Sequence, residues 1–299
     1  MSVEAITTVL VPATATAPAG PYDLTTLAIA KSELSIQTGD TSKDSFLSRA
    51  ITQASRAIAS YCDRVFQAEV IQDQFFIEQY PYPWQVPGGV LEISLSRWPL
   101  PETGVVTFTG TGNASRIITK VSSVAGLAAG MPVFASDGSA PSGTTITGTS
   151  PSSVQLSAPT TSKAAGLTFT AGLQVVQTLS ASVTQTLVYG TDFTVDAKKG
   201  WLIRLNAWTG QKQRWEAVPT TVQYLGGYQT IPDDLVDACL RLVTMRFASR
   251  GRDPMLVERS QNNLVGTERY WVGPVHGQSS SLPPEIALLV DHYRTPVIA

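Results

Sequence analysis

The chain has 299 residues, 43% of them hydrophobic and only 15% charged, with a formal net charge of -2 and a pI near 5.7. That length accommodates two domains, and the apolar content supports a buried core beneath an unusually uncharged surface. The charge excludes a dedicated nucleic-acid binder, which needs a basic stripe to neutralise phosphates. The first twenty residues lack the basic start of a secretory signal, and no run of about 18 apolar residues offers a membrane span.

Residues 1–20, with Pro12 and Pro18 among Ala and Thr, read as a flexible N-terminal arm. Residues 23–34 begin with capping types and place Leu27, Ala30 and Leu34 at helical spacing, which predicts a short helix. After the break at Gln37-Thr38-Gly39-Asp40, a capping-box-like start at residues 41–44 opens a second helix. There Phe46, Leu47, Ala50, Ile51, Ala54, Ala57, Ile58 and Tyr61 form an apolar stripe opposite Lys43, Arg49, Gln53 and Arg56. From Phe66 the period falls toward two, predicting strands over 70–77 and 90–95 on either side of a Pro- and aromatic-rich loop at 80–84.

Composition changes abruptly over 103–172, a stretch rich in Ser, Thr, Gly, Ala and Val in which only Arg116, Lys120, Asp137 and Lys163 are charged. Six short β-like runs separated by turn residues predict an inserted all-β domain, sandwich- or barrel-like. Its exposed ends suggest that it projects outward. Strand patterns resume from 173 to 225. Thr230-Ile231-Pro232-Asp233 then starts a helix with Leu235, Ala238, Cys239, Leu242, Val243 and Phe247 on one face. A polar connection leads to a last helix from about 282, with Ile286, Leu289, Val290 and Tyr293 on one side and an apolar end at 296–299.

Chemistry is sparse. Cys62 and Cys239 read as buried thiols, and His276 and His292 fall in no nucleophile–base or zinc pattern. Asp233 and Asp234 read as first-turn acids that complement the helix dipole. A glycan hydrolase needs paired carboxylates, and the β-insert offers only Asp137. The sequence therefore points to a non-enzymatic protein with no cofactor and no metal. Arg250 and Arg252, at a helix end, are the candidates for proximity to DNA phosphates. Loop aromatics such as Trp84, Trp98 and Trp271 suit interface anchors.

Two stretches carry a resemblance: "LTTLAIAKSEL" followed by "DSFLSRAITQASRAIASYCDRVF", and later "VQYLGGYQTIPDDLVDACLRLVTMRFASRG". Together they resemble the head–tail connector, or adaptor, family of long-tailed bacteriophages. The matching positions are Tyr61, Cys62, Arg64 and Phe66 in the first, and Tyr224, Gly227, Tyr228, Pro232, Leu235 and Ala238 in the second. The insert is a departure from the compact members.

The resemblance implies an α+β fold: a helical adaptor core with a small antiparallel sheet, divided into 21–102 and 173–274 by the insert at 103–172 and followed by a C-terminal helix and tail at 275–299. It implies a homo-oligomeric ring, dodecameric, in the virion neck, assembled in the host cytoplasm. Such a ring sits between the portal protein and a stopper or tail-terminator protein, with DNA passing through its lumen and no membrane partner. By the same resemblance, Leu282, Ile286, Leu289, Val290, Tyr293, Val297 and Ile298 are expected to dock on the portal, the alternative being a helix packed on its own domain. The competing expectation is a tail or capsid decoration protein whose β-domain binds another virion protein or a glycan.

Overall fold

The structure is a computed structural model, and it describes residues 3–13, 20–77, 90–101, 105–180, 183–250, 258–263, 266–271 and 282–295. Contacts divide the chain into two units, Met1–Ala13 with Phe66–Gln229, and Thr14–Val65 with Thr230–Ala299.

Among the described residues the first unit is all β. Its strands are β1 (Val3–Val11), β2 (Glu69–Ile77), β3 (Glu92–Ser94), β4 (Val106–Asn113), β5 (Ile117–Thr119), β6 (Val133–Ala135) and β7 (Ile146–Ser150). They continue with β8 (Ser153–Leu156), β9 (Lys163–Ala171), β10 (Leu173–Ser180), β11 (Val183–Leu187), β12 (Phe193–Asp196), β13 (Trp201–Arg204) and β14 (Thr220–Gly226). A five-stranded antiparallel sheet runs β1-β2-β14-β10-β11, and a three-stranded one runs β12-β13-β3.

Alternation decides what the five-stranded sheet buries. Ile71, Phe75 and Ile77 of β2, Val222 and Tyr224 of β14, and Leu173 and Val175 of β10 join one core with Ile93, Phe193, Leu202 and Trp215. The opposite face carries a row of glutamines: Gln72 pairs with Gln223, which pairs with Gln174.

The segment 106–171 forms a six-stranded sheet, β6-β9-β4-β5-β8-β7. Its two end strands also meet: Val133 N donates to Thr144 O at 2.8 Å, Ile146 N to Met131 O at 2.9 Å and Gly130 N to Ile146 O at 2.8 Å. The sheet thus closes on itself at this point into a small barrel. Phe108, Ile118, Met131, Val133, Ile146, Val154, Leu156 and Phe169 fill it. The barrel does not simply project away, because its 141–143 turn touches the five-stranded sheet: Ser142 Oγ lies 3.2 Å from Gln223 Nε2.

The second unit holds α1 (Leu27–Glu33), α2 (Asp44–Cys62), α3 (Asp233–Ala248), a hairpin of β15 (Glu258–Asn263) and β16 (Gly266–Trp271), then α4 (Pro284–Val290), which ends in a 3-10 turn at Asp291–Tyr293. Leu47, Ala50, Ile51, Ala54 and Ile58 of α2 are buried, as are Leu235, Ala238, Cys239, Leu242 and Val243 of α3. Thr26 caps α1 by accepting from Ile29 N. The expected capping box of α2 does not form, because Lys43 occupies the N-cap position without a side-chain bond. Instead Asp44, in the first turn, pairs with Lys31.

These elements correct the expected fold class. Among the described residues strand exceeds helix, 37% against 22%, and the sheets form the larger unit; this is not a helical core with a small sheet. The difference has a local cause at β1. Its side chains from Glu4 to Val9 are all exposed, so no in–out alternation marks residues 3–11 as a strand, and the expected flexible arm is in fact a nine-residue edge strand. The polar connection after α3 likewise contains the β15–β16 hairpin.

Candidate interaction surface

The residues that carry the family resemblance lie where the chain enters and leaves the sheets. In the second unit, α2 ends at Asp63, whose φ of 51° is left-handed, and Arg64 N donates back to Ala59 O at 3.1 Å. Cys62, fully buried, donates from Sγ to Val290 O at 3.6 Å and accepts Thr295 N on its own carbonyl at 3.0 Å. Burial pushes its thiol up to about 11. Tyr61 Oη donates to Asp291 Oδ1 at 3.3 Å, and Arg64 Nη1 donates to Tyr293 O at 3.4 Å. These three positions, Tyr61, Cys62 and Arg64, clamp the C-terminal turn onto the end of α2.

In the first unit the other half of the pattern is a backbone clasp. Tyr228 N donates to Phe66 O at 2.7 Å, Ala68 N donates to Tyr228 O at 3.1 Å, and Gly227 N donates to Pro99 O at 2.9 Å. Gly227 has a φ of +106°, and a Cβ there would lie 2.3 Å from Gln67 O. Only glycine fits such an approach. Tyr224 is fully buried, and its hydroxyl donates to Asp73 Oδ2 at 2.7 Å while accepting Arg97 N at 3.1 Å.

Asp73, itself at 0% exposure, also accepts Ser96 N on Oδ2 at 2.9 Å. Its Oδ1 accepts the Ser96 hydroxyl at 2.8 Å and the Thr7 hydroxyl at 2.8 Å. A buried carboxylate is tolerable only with such a set of donors. Burial, and next the Asp73 charge, push the Tyr224 hydroxyl well above its ordinary value of 10.0. The network ties β1, β2, β14 and the segment after β3 together, and its signal was present in the sequence: Asp73 occupies the inward phase of Ile71, Phe75 and Ile77.

Pro232 is the N-cap of α3. Asp234, in the first turn, accepts the Tyr293 hydroxyl on Oδ1 at 2.7 Å and lies 3.2 Å from His292 Nε2. Of the residues expected at a portal contact, Leu282, Ile286 and Val290 are buried within the second unit at 3%, 1% and 0% exposure. Leu289 and Tyr293 are half-buried, and Val297 and Ile298 lie outside the described residues. The apolar side chain that α4 presents outward is Leu288, 80% exposed, which the sequence reading passed over. Arg250 is exposed, its guanidinium 4.9 Å from the Phe46 ring centroid. Arg252, His276 and Trp84 lie outside the described residues, as does the side chain of Trp271.

A further feature not anticipated is Trp208, 96% exposed on a turn in which Asn206 Oδ1 accepts Trp208 N at 2.9 Å and Thr209 N at 3.1 Å. Among the described residues no His, Cys, Asp and Glu group into a metal-binding cluster, and no helix is long and apolar enough to cross a membrane. An apolar crevice lined by Leu100, Val105, Leu173, Val195 and Leu225 has room for about 10 Å³, that of one water.

Neither a protein-family model nor a curated protein matches the sequence. Two solved structures are similar to it along its whole length. One, described as the neck of an empty gene transfer agent (GTA) particle computed with C6 symmetry, is 12% identical at a TM-score of 0.40, covering 100% of this chain and 98% of that one. The other, the virion of a native GTA particle, is 13% identical at a TM-score of 0.35, with the same coverages.

Proposed function

We propose that the chain is a structural, non-catalytic subunit of a tailed-phage-like neck. In this reading it is an adaptor whose copies form a ring, dodecameric by the family resemblance, between the portal and a stopper or tail-terminator, around a lumen through which DNA passes. The observation that supports it is the way the two resembling segments, far apart in sequence, meet within each unit. In the second unit α2 lies against α3, with Ser55 Oγ 3.6 Å from Cys239 Sγ and the rings of Phe46 and Phe247 6.2 Å apart. In the first, Phe66 and Ala68 are hydrogen-bonded to Tyr228. The family words therefore specify joints of the fold.

The net charge of -2 suits a conduit, because a strongly basic lumen would retain DNA through its phosphates. The C-terminal segment docks the portal, with Leu288 as its exposed apolar contact. Mass measurement and imaging of the purified chain, alone and mixed with the portal protein of its own particle, test the reading. A ring formed on or joined to the portal is expected. A chain that ignores the portal and instead coats capsids or tails overturns it in favour of a decoration protein.

A further inference from the structure

The first unit closes one sheet and leaves another open. The end strands of the barrel meet each other, and the edge strands of the three-stranded sheet are short, with Glu92 in β3 and Asp196 in β12. The five-stranded sheet ends instead in β1, nine residues long, and β11, five residues long, each with a partner on one side only among the described residues. Residues 4–9 of β1 and 183–186 of β11 are exposed.

Neither edge carries lysine, an internal proline or several charges, three of the usual protections against strand pairing, and the bulge of β1 lies at its far end, between Val9 and Val11. Glu4 is the one charged residue of 1–22, and 173–191 contains none. Apolar side chains stand exposed along both, Ile6 and Val9 at 54% and 43% on one, Val183 at 49% on the other.

Geometry selects the occupant. All four pairings in the sheet are antiparallel, and five strands is an odd number, so β1 and β11 run in the same direction. One row of side chains crosses the sheet from edge to edge, Ile6 opposite Gln74, Gln74 opposite Thr221, Thr221 opposite Val176 and Val176 opposite Thr186. A second copy displaced sideways presents its β1 to this β11 in parallel, with its polar glutamine face on the same side. We propose that β11 of one copy pairs with β1 of the next, so that the five-stranded sheets of neighbouring subunits join into one continuous sheet. The contact is heterologous, each copy using two different edges, which is the kind that propagates and closes into a ring. This inference deepens the adaptor reading and rests on it for the closure of the assembly.

The test uses full-length chains with cysteines on that row. Ile6→Cys and Thr186→Cys alter exposed side chains, and the native Cys62 and Cys239 are buried, their thiols pushed up to about 11, so they stay out of the reaction. Under mild oxidation the double variant is expected to give a covalent ladder of trimers and larger species. A mixture of the two single variants, one carrying a size tag, is expected to give the mixed dimer at least tenfold above either homodimer. Homodimers in equal yield, or no cross-linking, overturn the edge pairing. Sedimentation of the unsubstituted chain separates the two readings. Closed oligomers without edge cross-links leave the ring standing and remove this interface, whereas a chain that neither cross-links nor assembles, alone or mixed with the portal, removes both.

Discussion

The Tyr224 hydroxyl reaches Asp73 Oδ2 at 2.7 Å diagonally across β14 and β2, the two central neighbours in the five-stranded sheet, and both residues are fully buried. This bond makes a family-pattern tyrosine one donor of a buried carboxylate's coordination. Replacing Tyr224 by Phe removes that donor while keeping the ring, and should cost about 1–3 kcal/mol at neutral pH. Because the folded-state hydroxyl titrates well above its ordinary value of 10.0, its contribution is complete below pH 10 and is lost as pH rises beyond it. The stability gap between wild type and Tyr224→Phe, measured by urea denaturation, should therefore be constant from pH 7 to 9 and shrink above 10. A gap that widens in alkali would show that the hydroxyl does not serve this carboxylate.

Gly227 is expected to be irreplaceable. Alanine there meets Gln67 O and carries a φ of +106°, a combination that should cost at least about 3 kcal/mol. Gly39→Ala, with nothing within 4 Å of the added carbon, should change stability by less than about 0.5 kcal/mol. Thermal melts of the two variants side by side decide the point, and similar melting temperatures would refute the clasp.

Both thiols should be silent in the native chain. Burial raises Cys62 and Cys239 to about 11, and neither is reached by solvent. A colorimetric disulfide reagent at pH 8 should label them at least about a hundredfold more slowly than in denaturant, since thiolate fraction and access both fall. Rapid native labelling of either thiol would contradict its placement.

On α4 the apolar side chains divide by role. Ile286→Ala should destabilise the chain by about 2–5 kcal/mol, as expected for a cavity in a core. Leu288→Asp should leave the melt unchanged within about 0.5 kcal/mol and weaken portal association. Retained portal binding in Leu288→Asp would move the docking contact elsewhere.

The helices were legible because each has one buried stripe. Leu47, Ala50, Ile51, Ala54 and Ile58 repeat at the helical period, and all five are buried in α2. The five-stranded sheet was harder to read. Its buried face follows the period of two in β2, yet its outer face is rich in glutamine and threonine rather than in charge, and β1 has a single residue type signal, β-branching, beside an Ala/Thr/Pro tail. The size of the sheet was hidden for the same reason: its strands are drawn from 3–11, 69–77, 173–187 and 220–226, and pairing between segments so distant leaves no local mark. The burial of Leu282, Ile286 and Val290 was legible as a helix face but not as an inward one, since a stripe does not say whether its partner is its own unit or another chain.

The barrel begins and ends at one place. Val106, its first paired residue, stands opposite Ala171, its last, and residues so paired have Cα atoms about 5 Å apart, after which Leu173 re-enters the five-stranded sheet directly. To the rest of the fold the whole module is therefore equivalent to a tight turn before β10. A cassette bounded this way is exchangeable by recombination, so related particles could differ in what they display at this position while inheriting the same joints beneath it.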